Sequence, residues 1–319
     1  MRTTRSMTHL MPAVLVTATV LSAGPLVLPR PQLARPLLTT LGDPAAYAVA
    51  SPSPYDGVAR LVIQGSSQTW GCSGTLISSV HVLTAAHCLT DEYGNLDVLA
   101  LTAYFPPGGA FSGVDYRVHP NWDGDFLNGY DVGIVRLSAS PGLGYYGILT
   151  EPITGLVGLA GYGMSGTGIT GWALPWGTLR AGTNQFEPVV WGLPGEPYAY
   201  DFDDGTLERD ALCLLLGSRF CGTYTDREVH PAPGDSGGPT FYNGRIAAIH
   251  SFLATFGSDW GDLDDELNGT FGELAGDTRV DVYSGWILSQ VPEPAPALLN
   301  LVGLAAVVLV RRLAARRRR

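Results

Sequence analysis

Between residues 58 and 282, this chain contains many short runs of strand-forming residues, separated by glycine, serine and asparagine. Asn243 and Gly244 separate two of these runs and give a strong hairpin signal. Glycine and proline are plentiful (41 and 23 residues) and only 15% of the residues are charged, which suits a turn-rich all-β protein better than a helical bundle. Many short strands predict barrels or a sandwich. The runs are residues 58–63, 74–77, 81–84, 98–104, 115–118, 133–137, 155–161, 241–242, 246–249 and 278–282.

The charges are unevenly distributed along the chain. There is no lysine, the formal net charge is −10, and between residues 46 and 291 there are 9 arginines against 27 acidic residues. A body this acidic repels nucleic acid and anionic lipid surfaces. We therefore expect no nucleic-acid partner.

Both ends of the chain predict export. Arg2 and Arg5 precede an apolar run at about residues 11–20 and small residues at 22–24, which is the pattern of a signal peptide. At the other end, an apolar stretch at residues 295–310 is followed by an arginine cluster at 311–319. Arginines stay on the cytoplasmic side of a membrane, so this orientation leaves the acidic body outside.

The four cysteines are compatible with three disulfide pairings, and the sequence alone does not choose among them. Their spacing favours two local bridges. A zinc site is disfavoured because neither close pair has the two- to four-residue spacing of metal clips. Disulfides also indicate an oxidising, exported compartment. The cysteines are Cys72, Cys88, Cys213 and Cys221.

Three short segments carry residues suited to nucleophilic catalysis: LTAAHC at 83–88, YDVGIV at 130–135 and GDSGGP at 234–239. They contain, in this order, His87, Asp131 and Ser236. A buried aspartate would fix the tautomer of the histidine. The histidine would then take the proton from the serine hydroxyl as that oxygen attacks a carbonyl carbon.

Together, the three segments resemble the trypsin-like serine proteases over about residues 55–290. The resemblance implies two six-stranded antiparallel β-barrels packed around a catalytic cleft, a short C-terminal helix with Tyr283, Trp286 and Ile287 on one face, and a Cys72–Cys88 bridge. It also implies peptide-bond hydrolysis through an acyl-enzyme, without metal or organic cofactor. The implied catalytic residues are His87, Asp131 and Ser236, with the amides of Gly234 and Ser236 as the oxyanion hole.

The same resemblance raises a question about activation. In the family, the acid at the position of Asp235 pairs with an N-terminal ammonium that zymogen cleavage releases. Here the corresponding segment is AVAS at residues 48–51, instead of the usual IVGG. We expect activity to depend on a processed N-terminus near residues 46–51.

Substrate preference follows from the resemblance at two positions. His230 lies six residues before Ser236, where family members have the floor of the pocket, and a trypsin-type enzyme has aspartate there. Cleavage after lysine or arginine is therefore not expected. His250, Ser251 and Phe252 lie on a strand along the pocket wall, and His250 resembles the glutamate-specific bacterial members. Two imidazoles would favour an acidic side chain at mildly acid pH; the alternative is that His250 packs in the strand and the pocket is apolar.

The C-terminal order of Pro-Glu-Pro at residues 292–294, apolar run and arginines resembles the PEP-CTERM sorting signal of Gram-negative bacteria. It implies recognition by an exosortase and a location in the cell envelope or outside the cell. A plain C-terminal membrane anchor is the alternative. We thus expect a signal peptide and leader at 1–47, a protease domain at 48–290 and a sorting segment at 291–319.

Two alternatives concern function. The acid-rich loops at residues 201–204 and 262–266 could bind calcium, but neither has the EF-hand spacing, and we expect them to be solvated surface. The rival to an enzyme is a non-catalytic envelope or matrix binding protein built on a protease fold. The intact set of His87, Asp131 and Ser236 argues against that rival.

Overall fold

The structure, a computed structural model, describes residues 32–34, 38–187 and 192–291. The predicted signal peptide, and nearly all of the predicted sorting segment with its apolar helix, lie outside these residues. Within the described ranges, no helix combines the length and the apolar character needed to cross a membrane.

Fifteen strands and two α-helices make up the described chain. In chain order the strands are β1 (Gln32–Ala34), β2 (Thr39–Thr40), β3 (Val58–Gln64), β4 (Thr69–Leu76), β5 (His81–Thr84), β6 (Ala100–Phe105), β7 (Gly109–Val118), β8 (Gly133–Leu137), β9 (Gly155–Gly161), β10 (Arg180–Phe186), β11 (Tyr198–Asp201), β12 (Val229–His230), β13 (Pro239–Tyr242), β14 (Arg245–Thr255) and β15 (Leu274–Arg279). The helices are α1 (Ala211–Leu216) and α2 (Val280–Gln290). Five single-turn 3-10 helices occur at Pro44–Tyr47, Ala86–Cys88, Phe126–Asn128, Ser218–Phe220 and Ser258–Trp260.

The first six-stranded unit is a closed antiparallel barrel in the order β3-β4-β5-β8-β7-β6. Alternate residues of a strand point to the same face, and on β3 the side chains of Ala59, Leu61 and Ile63 all point into the barrel core. Because the six-stranded sheet closes on itself, the barrel has no free edge. The predicted N-terminal barrel is confirmed.

The second sheet is a half-barrel, in the order β10-β9-β13-β14-β15-β11, with β1 added to β14. Among the described residues, only one bridge, Glu187 to Ala199, joins the two outer strands. β11 is only four residues long, so the edge that it turns towards β10 offers few positions for a ladder. Of the two predicted six-stranded antiparallel barrels, the first is therefore a closed barrel and the second a half-barrel.

The C-terminal helix α2 packs against the region between the two sheets. Its residues Tyr283 and Ile287 are buried in the same core cluster as residues of both sheets, and Trp286 packs at the edge of that cluster. The Tyr283 hydroxyl accepts a hydrogen bond from the backbone amide of Tyr130 at 2.9 Å. The predicted short C-terminal helix and its apolar face are confirmed.

Both disulfides are local, as the cysteine spacing favours. Cys72 on β4 is bonded to Cys88, which ends the 3-10 helix after β5. Cys213 on α1 is bonded to Cys221. All four cysteines are therefore used, and the described chain has no free thiol.

The acid-rich loops are not simply solvated surface, contrary to the prediction. Asp201, Asp203 and Asp262 are buried. Their carboxylates accept hydrogen bonds from loop groups: Leu212 N donates to Asp201 at 2.9 Å, and Gly205 N donates to Asp203 at 2.7 Å. Buried carboxylates persist where such donors replace water, so these acids tie the loops of the second sheet together.

The buried carboxyl groups of Glu228 and Glu273 hold loop backbone in the same way. Glu228 accepts from the amides of Asp203 and Thr225 at 2.9 and 2.7 Å. One oxygen of Glu273 accepts from three successive amides, at residues 268–270. Burial raises the pKa of Glu228 to about 9 and that of Glu273 to about 8, so both side chains are mostly protonated at neutral pH.

These two acids predict that the fold loses stability as the pH rises. An unfolded glutamate ionises near pH 4.3, whereas the folded Glu273 keeps its proton to about pH 8. Between these values the folded state binds more protons, so the free energy of unfolding falls with increasing pH. We expect Glu273→Gln to make this fall shallower by up to about 1 kcal/mol per pH unit, measured by urea unfolding from pH 5 to 8. The exposed Glu266→Gln is the control; parallel curves for the two variants would contradict the prediction.

Candidate active site

His87 is held by one buried carboxylate through two hydrogen bonds. It lies on the 3-10 helix that follows β5, and its side chain is almost fully buried. Its ring Nδ1 lies 2.8 Å from Oδ2 of Asp131, and its backbone amide donates to Oδ1 at 2.9 Å. A carboxylate accepts only, so Nδ1 carries the proton and Nε2 is left as a base.

Asp131 receives a third hydrogen bond from the other sheet. It precedes β8 of the closed barrel, and the Ser251 hydroxyl on β14 donates to its Oδ2 at 2.6 Å. The contact therefore crosses the cleft between barrel and half-barrel. The Ser251 hydroxyl thus contacts Asp131, a role that no sequence signal at this serine indicates; its place on the wall of the substrate pocket stays a prediction.

Ser236 lies in the tight turn between β12 and β13. Gly234 and Gly237 have φ of 105° and 76°, a region that side chains with a Cβ rarely adopt. A Cβ at Gly237 would also overlap the hydroxyl of Thr84 and the amide of Ala85. The sequence GDSGG is thus required by a turn packed directly against the barrel.

Ser73 on β4 fastens this turn to the barrel, a role that the sequence reasoning missed. Its backbone amide donates to the carbonyl of Ser236 at 2.8 Å, and its hydroxyl donates to the carbonyl of Gly234 at 2.8 Å. Ser73 lies next to Cys72, and that proximity to the bridge is the only available sequence signal.

The structure brings His87, Asp131 and Ser236 to one cleft. Cys88 Sγ lies 4.0 Å from His87 Nε2 and 3.5 Å from the carbonyl oxygen of Ser236. Among the described residues, the Ser236 hydroxyl forms no hydrogen bond to His87, and the amides of Gly234 and Ser236 have no acceptor. These two donors are thus free to bind an incoming oxygen.

The cleft has aromatic walls on both sides of the catalytic candidates. Beside Ser236 is a pocket of about 250 Å³. On the other side, the Phe126 ring lies 5.2 Å from the His87 ring and 6.1 Å from the ring of Phe252. The pocket is lined by Trp70, Gly71, Cys72, Met164, Trp176, Pro233, Gly234 and Ser236.

Asp235 is buried without an ion-pair partner among the described residues. Its two oxygens accept from the amides of Gly163 at 2.8 Å and Ala232 at 3.0 Å. Burial raises the pKa of Asp235 to about 7, and the nearby charges of His250 and Arg180 oppose that rise only in part. Ala48, the first residue of the segment at 48–51, bridges to Arg180, whose charge acts on Asp235.

His230, which the resemblance predicts at the floor of the substrate pocket, is enclosed by other residues. Its ring is fully buried and stacked on Phe202 at 5.5 Å, and neither ring nitrogen has a hydrogen-bond partner among the described residues. On the backbone side, Thr39 of β2 pairs with it. Burial lowers the pKa of His230 to about 3. It is therefore neutral at mildly acid pH and does not supply the predicted second positive charge.

His250 is also fully buried, but it belongs to a polar network. Its Nδ1 lies 3.2 Å from each oxygen of Asp277, whereas its Nε2 has no partner in the described chain. Asp277 also accepts from the hydroxyls of Tyr200 at 2.9 Å and Thr240 at 2.5 Å. Next to this network, the ring of Phe252 covers Gly276, where a Cβ would overlap it.

Known proteins resemble the chain in sequence and in fold. It is 28% identical over 257 residues to brachyurin of Leptuca pugilator, covering 76% of this chain and 95% of brachyurin. It is 26% identical over 211 residues to the alkaline C trypsin of Manduca sexta, covering 62% and 76% of the two chains. The solved structure of HL collagenase superimposes with a TM-score of 0.50 at 16% identity, covering 76% of this chain and 96% of that one.

The strongest of these comparisons covers the barrel, the half-barrel and most of α2. Residues 50–287 match the family model described as Trypsin, and this range contains all of the candidate catalytic residues described above. The chain therefore belongs to the trypsin family and is a serine endopeptidase.

Proposed function

We propose that this chain is an exported endopeptidase in which Ser236 is the nucleophile, His87 the general base and Asp131 the residue that orients His87. The observation that carries the proposal is the set of three hydrogen bonds on Asp131, from the ring and amide of His87 and from the Ser251 hydroxyl. Because the contact of the ring with Asp131 fixes Nδ1 as the protonated nitrogen of His87, Nε2 is the atom that accepts the serine proton.

The proposed reaction proceeds in two steps. The Ser236 oxygen attacks the substrate carbonyl while His87 Nε2 takes its proton, and the developing oxyanion binds the free amides of Gly234 and Ser236. His87 then protonates the leaving amine as the peptide bond breaks, which leaves an acyl-enzyme. Water hydrolyses the ester by the same route and restores the Ser236 hydroxyl.

Activation by N-terminal processing is part of the proposal. Asp235 is a buried carboxylate with two amide donors and no ion pair among the described residues. An ammonium group released by cleavage near residues 46–51 would pair with it and lower its raised pKa. Because Asp235 lies between Gly234 and Ser236, that pairing would also order the oxyanion donors. The proposed mature domain is residues 48–290.

We also propose that His250 selects acidic side chains on the substrate. The Nε2 N–H of His250 would donate to a substrate carboxylate, while Asp277 contacts Nδ1 on the opposite side of the ring. With His230 neutral, His250 has to act alone. Phe252, packed over Gly276, favours the competing possibility of a smaller apolar pocket.

Export and sorting complete the proposal. Two disulfides suit an oxidising compartment. The leader at residues 1–47 would direct export, and the segment at 291–319 would contact the membrane until an exosortase of a Gram-negative cell recognises it. The protein would then act on protein or peptide substrates in the envelope or outside the cell.

Covalent labelling distinguishes the enzyme from a non-catalytic binding protein. We expect a fluorophosphonate to label the chain on Ser236 after cleavage near residues 46–51. Labelling should be lost in Ser236→Ala and fall at least 100-fold in His87→Ala, but persist in the exposed control Ser138→Ala. A folded, cleaved chain that resists the reagent would support the binding-protein alternative.

Ser251→Ala tests whether this hydroxyl positions Asp131. A hydrogen bond to a charged group contributes about 1.5–3 kcal/mol, so we expect kcat to fall about 10- to 100-fold with little change in KM. Ser138→Ala should match the parent. A rise in KM alone would instead place Ser251 in the substrate pocket.

A panel of peptides with Glu, Arg, Phe or Leu before the cleaved bond tests the role of His250. We expect kcat/KM for Glu to exceed that for Leu, because an imidazole can donate to a carboxylate and can carry the opposite charge. His250→Gln, which cannot carry charge, should weaken this preference, and His81→Gln should keep it. A preference for Arg would overturn the proposal.

A further inference from the structure

The leader strand β1 lies on the edge of β14 close to the catalytic candidates. Gln32, Leu33 and Ala34 pair antiparallel with Thr255, Ala254 and Leu253. Leu253 is only two residues from Ser251, whose hydroxyl contacts Asp131. At about 3.3 Å per residue, the paired edge begins about 7 Å along the strand from that contact.

This edge and the Ser236 turn lie on the same side of β14. On the opposite side, β15 pairs with Leu253 and Ala254, so β1 occupies the remaining side. β13, which follows Ser236, pairs with the earlier part of β14 on that side. The turn continues the contact, since Gly237 N donates to the carbonyl of His250 at 2.9 Å.

The direction of β1 is that of a peptide entering the cleft. Ala34, at its C-terminal end, is opposite Leu253, and Gln32 is opposite Thr255. The strand therefore runs towards Ser251 and the Ser236 turn. A peptide extended along this line brings its later residues to the nucleophile.

A second anchor holds the leader beside β12, the strand that precedes the Ser236 turn. Thr39 and Thr40 of β2 pair with His230 and Val229 of β12, the strand that precedes the Ser236 turn. The Thr40 amide also donates to the carbonyl of Gly166 at 3.0 Å. Leu38 is buried in the core cluster that contains Val229 and Leu253. The leader thus pairs with β14 and with β12.

We propose that β1, in the uncleaved chain, occupies the β14 edge at Leu253–Thr255 and thereby keeps an extended substrate backbone from pairing there. This inference rests on the proposed function. Strand addition to a free edge is a general mode of peptide binding. A tethered segment has an effective concentration of about millimolar, which is enough to exclude substrates whose KM lies between about 1 μM and 1 mM.

The test disrupts the pairing of β1 with β14 and leaves the catalytic residues the same in every chain compared. Successive amides of a strand face opposite sides, so the double variant Leu33→Pro/Ala34→Pro removes a ladder hydrogen bond in either phase of the pairing. The matched control, Leu33→Val/Ala34→Val, keeps both amides. All chains, including the parent, carry Ser236→Ala so that no self-cleavage occurs. Should the proline variant fail to fold by circular dichroism, Leu33→Gly/Ala34→Gly replaces it.

The probe is a fluorescein-labelled synthetic peptide of residues 30–37, and the readout is its dissociation constant. We expect the proline variant to bind it at least 10-fold more tightly than the parent and the valine control. Equal affinity for all chains, or no binding to the proline variant, would overturn the inference. Neither result depends on the reactivity of Ser236, which fluorophosphonate labelling tests separately, so the two proposals fail independently.

Discussion

The Asp131 carboxylate is the interaction on which the arrangement of the cleft depends. It is buried on the closed barrel and receives the ring and amide of His87 from that barrel. Its third donor, Ser251, comes from the half-barrel. An unpartnered buried carboxylate is costly, so the two sheets stabilise it only when they are docked in one orientation. The same contact that satisfies the charge therefore also sets the position of the cleft relative to β14.

The Ser236 turn depends on a second contact across the cleft, in which the closed barrel supplies the donors and the half-barrel the acceptors. Here the half-barrel supplies the strained, glycine-rich backbone, and Ser73 of the closed barrel supplies the donors that hold it. Two serines from different sheets, Ser73 and Ser251, thus cross the cleft to fix the nucleophile turn and the oriented acid. Each is a small hydroxyl that fits between packed backbones, where a larger polar side chain would separate the sheets.

Features that depend on residues close together in the chain could be predicted from the sequence. The barrel strands, the two short-range disulfides and the helix at Tyr283 follow from periodicity, cysteine spacing and the match to a family. Properties set by distant neighbours were not predictable. His230 is neutral because Phe202 and Thr39 enclose it, and the half-barrel stays open because β11 is short. The acid-rich loops are partly buried because backbone amides from other segments satisfy Asp201 and Asp203.

Three buried aspartates around the cleft differ in how fully they are compensated. Asp131 has three hydrogen bonds, and Asp277 has donors from Tyr200, Thr240 and His250. Asp235 has only two amides, and burial raises its pKa to about 7. Of the three aspartates, Asp235 would therefore be stabilised most by a newly formed cation, because its carboxylate has the fewest hydrogen-bond donors. Asp235 is joined to Ser236 by one peptide bond. An ion pair at this least compensated acid would therefore act directly on the backbone of the nucleophile turn.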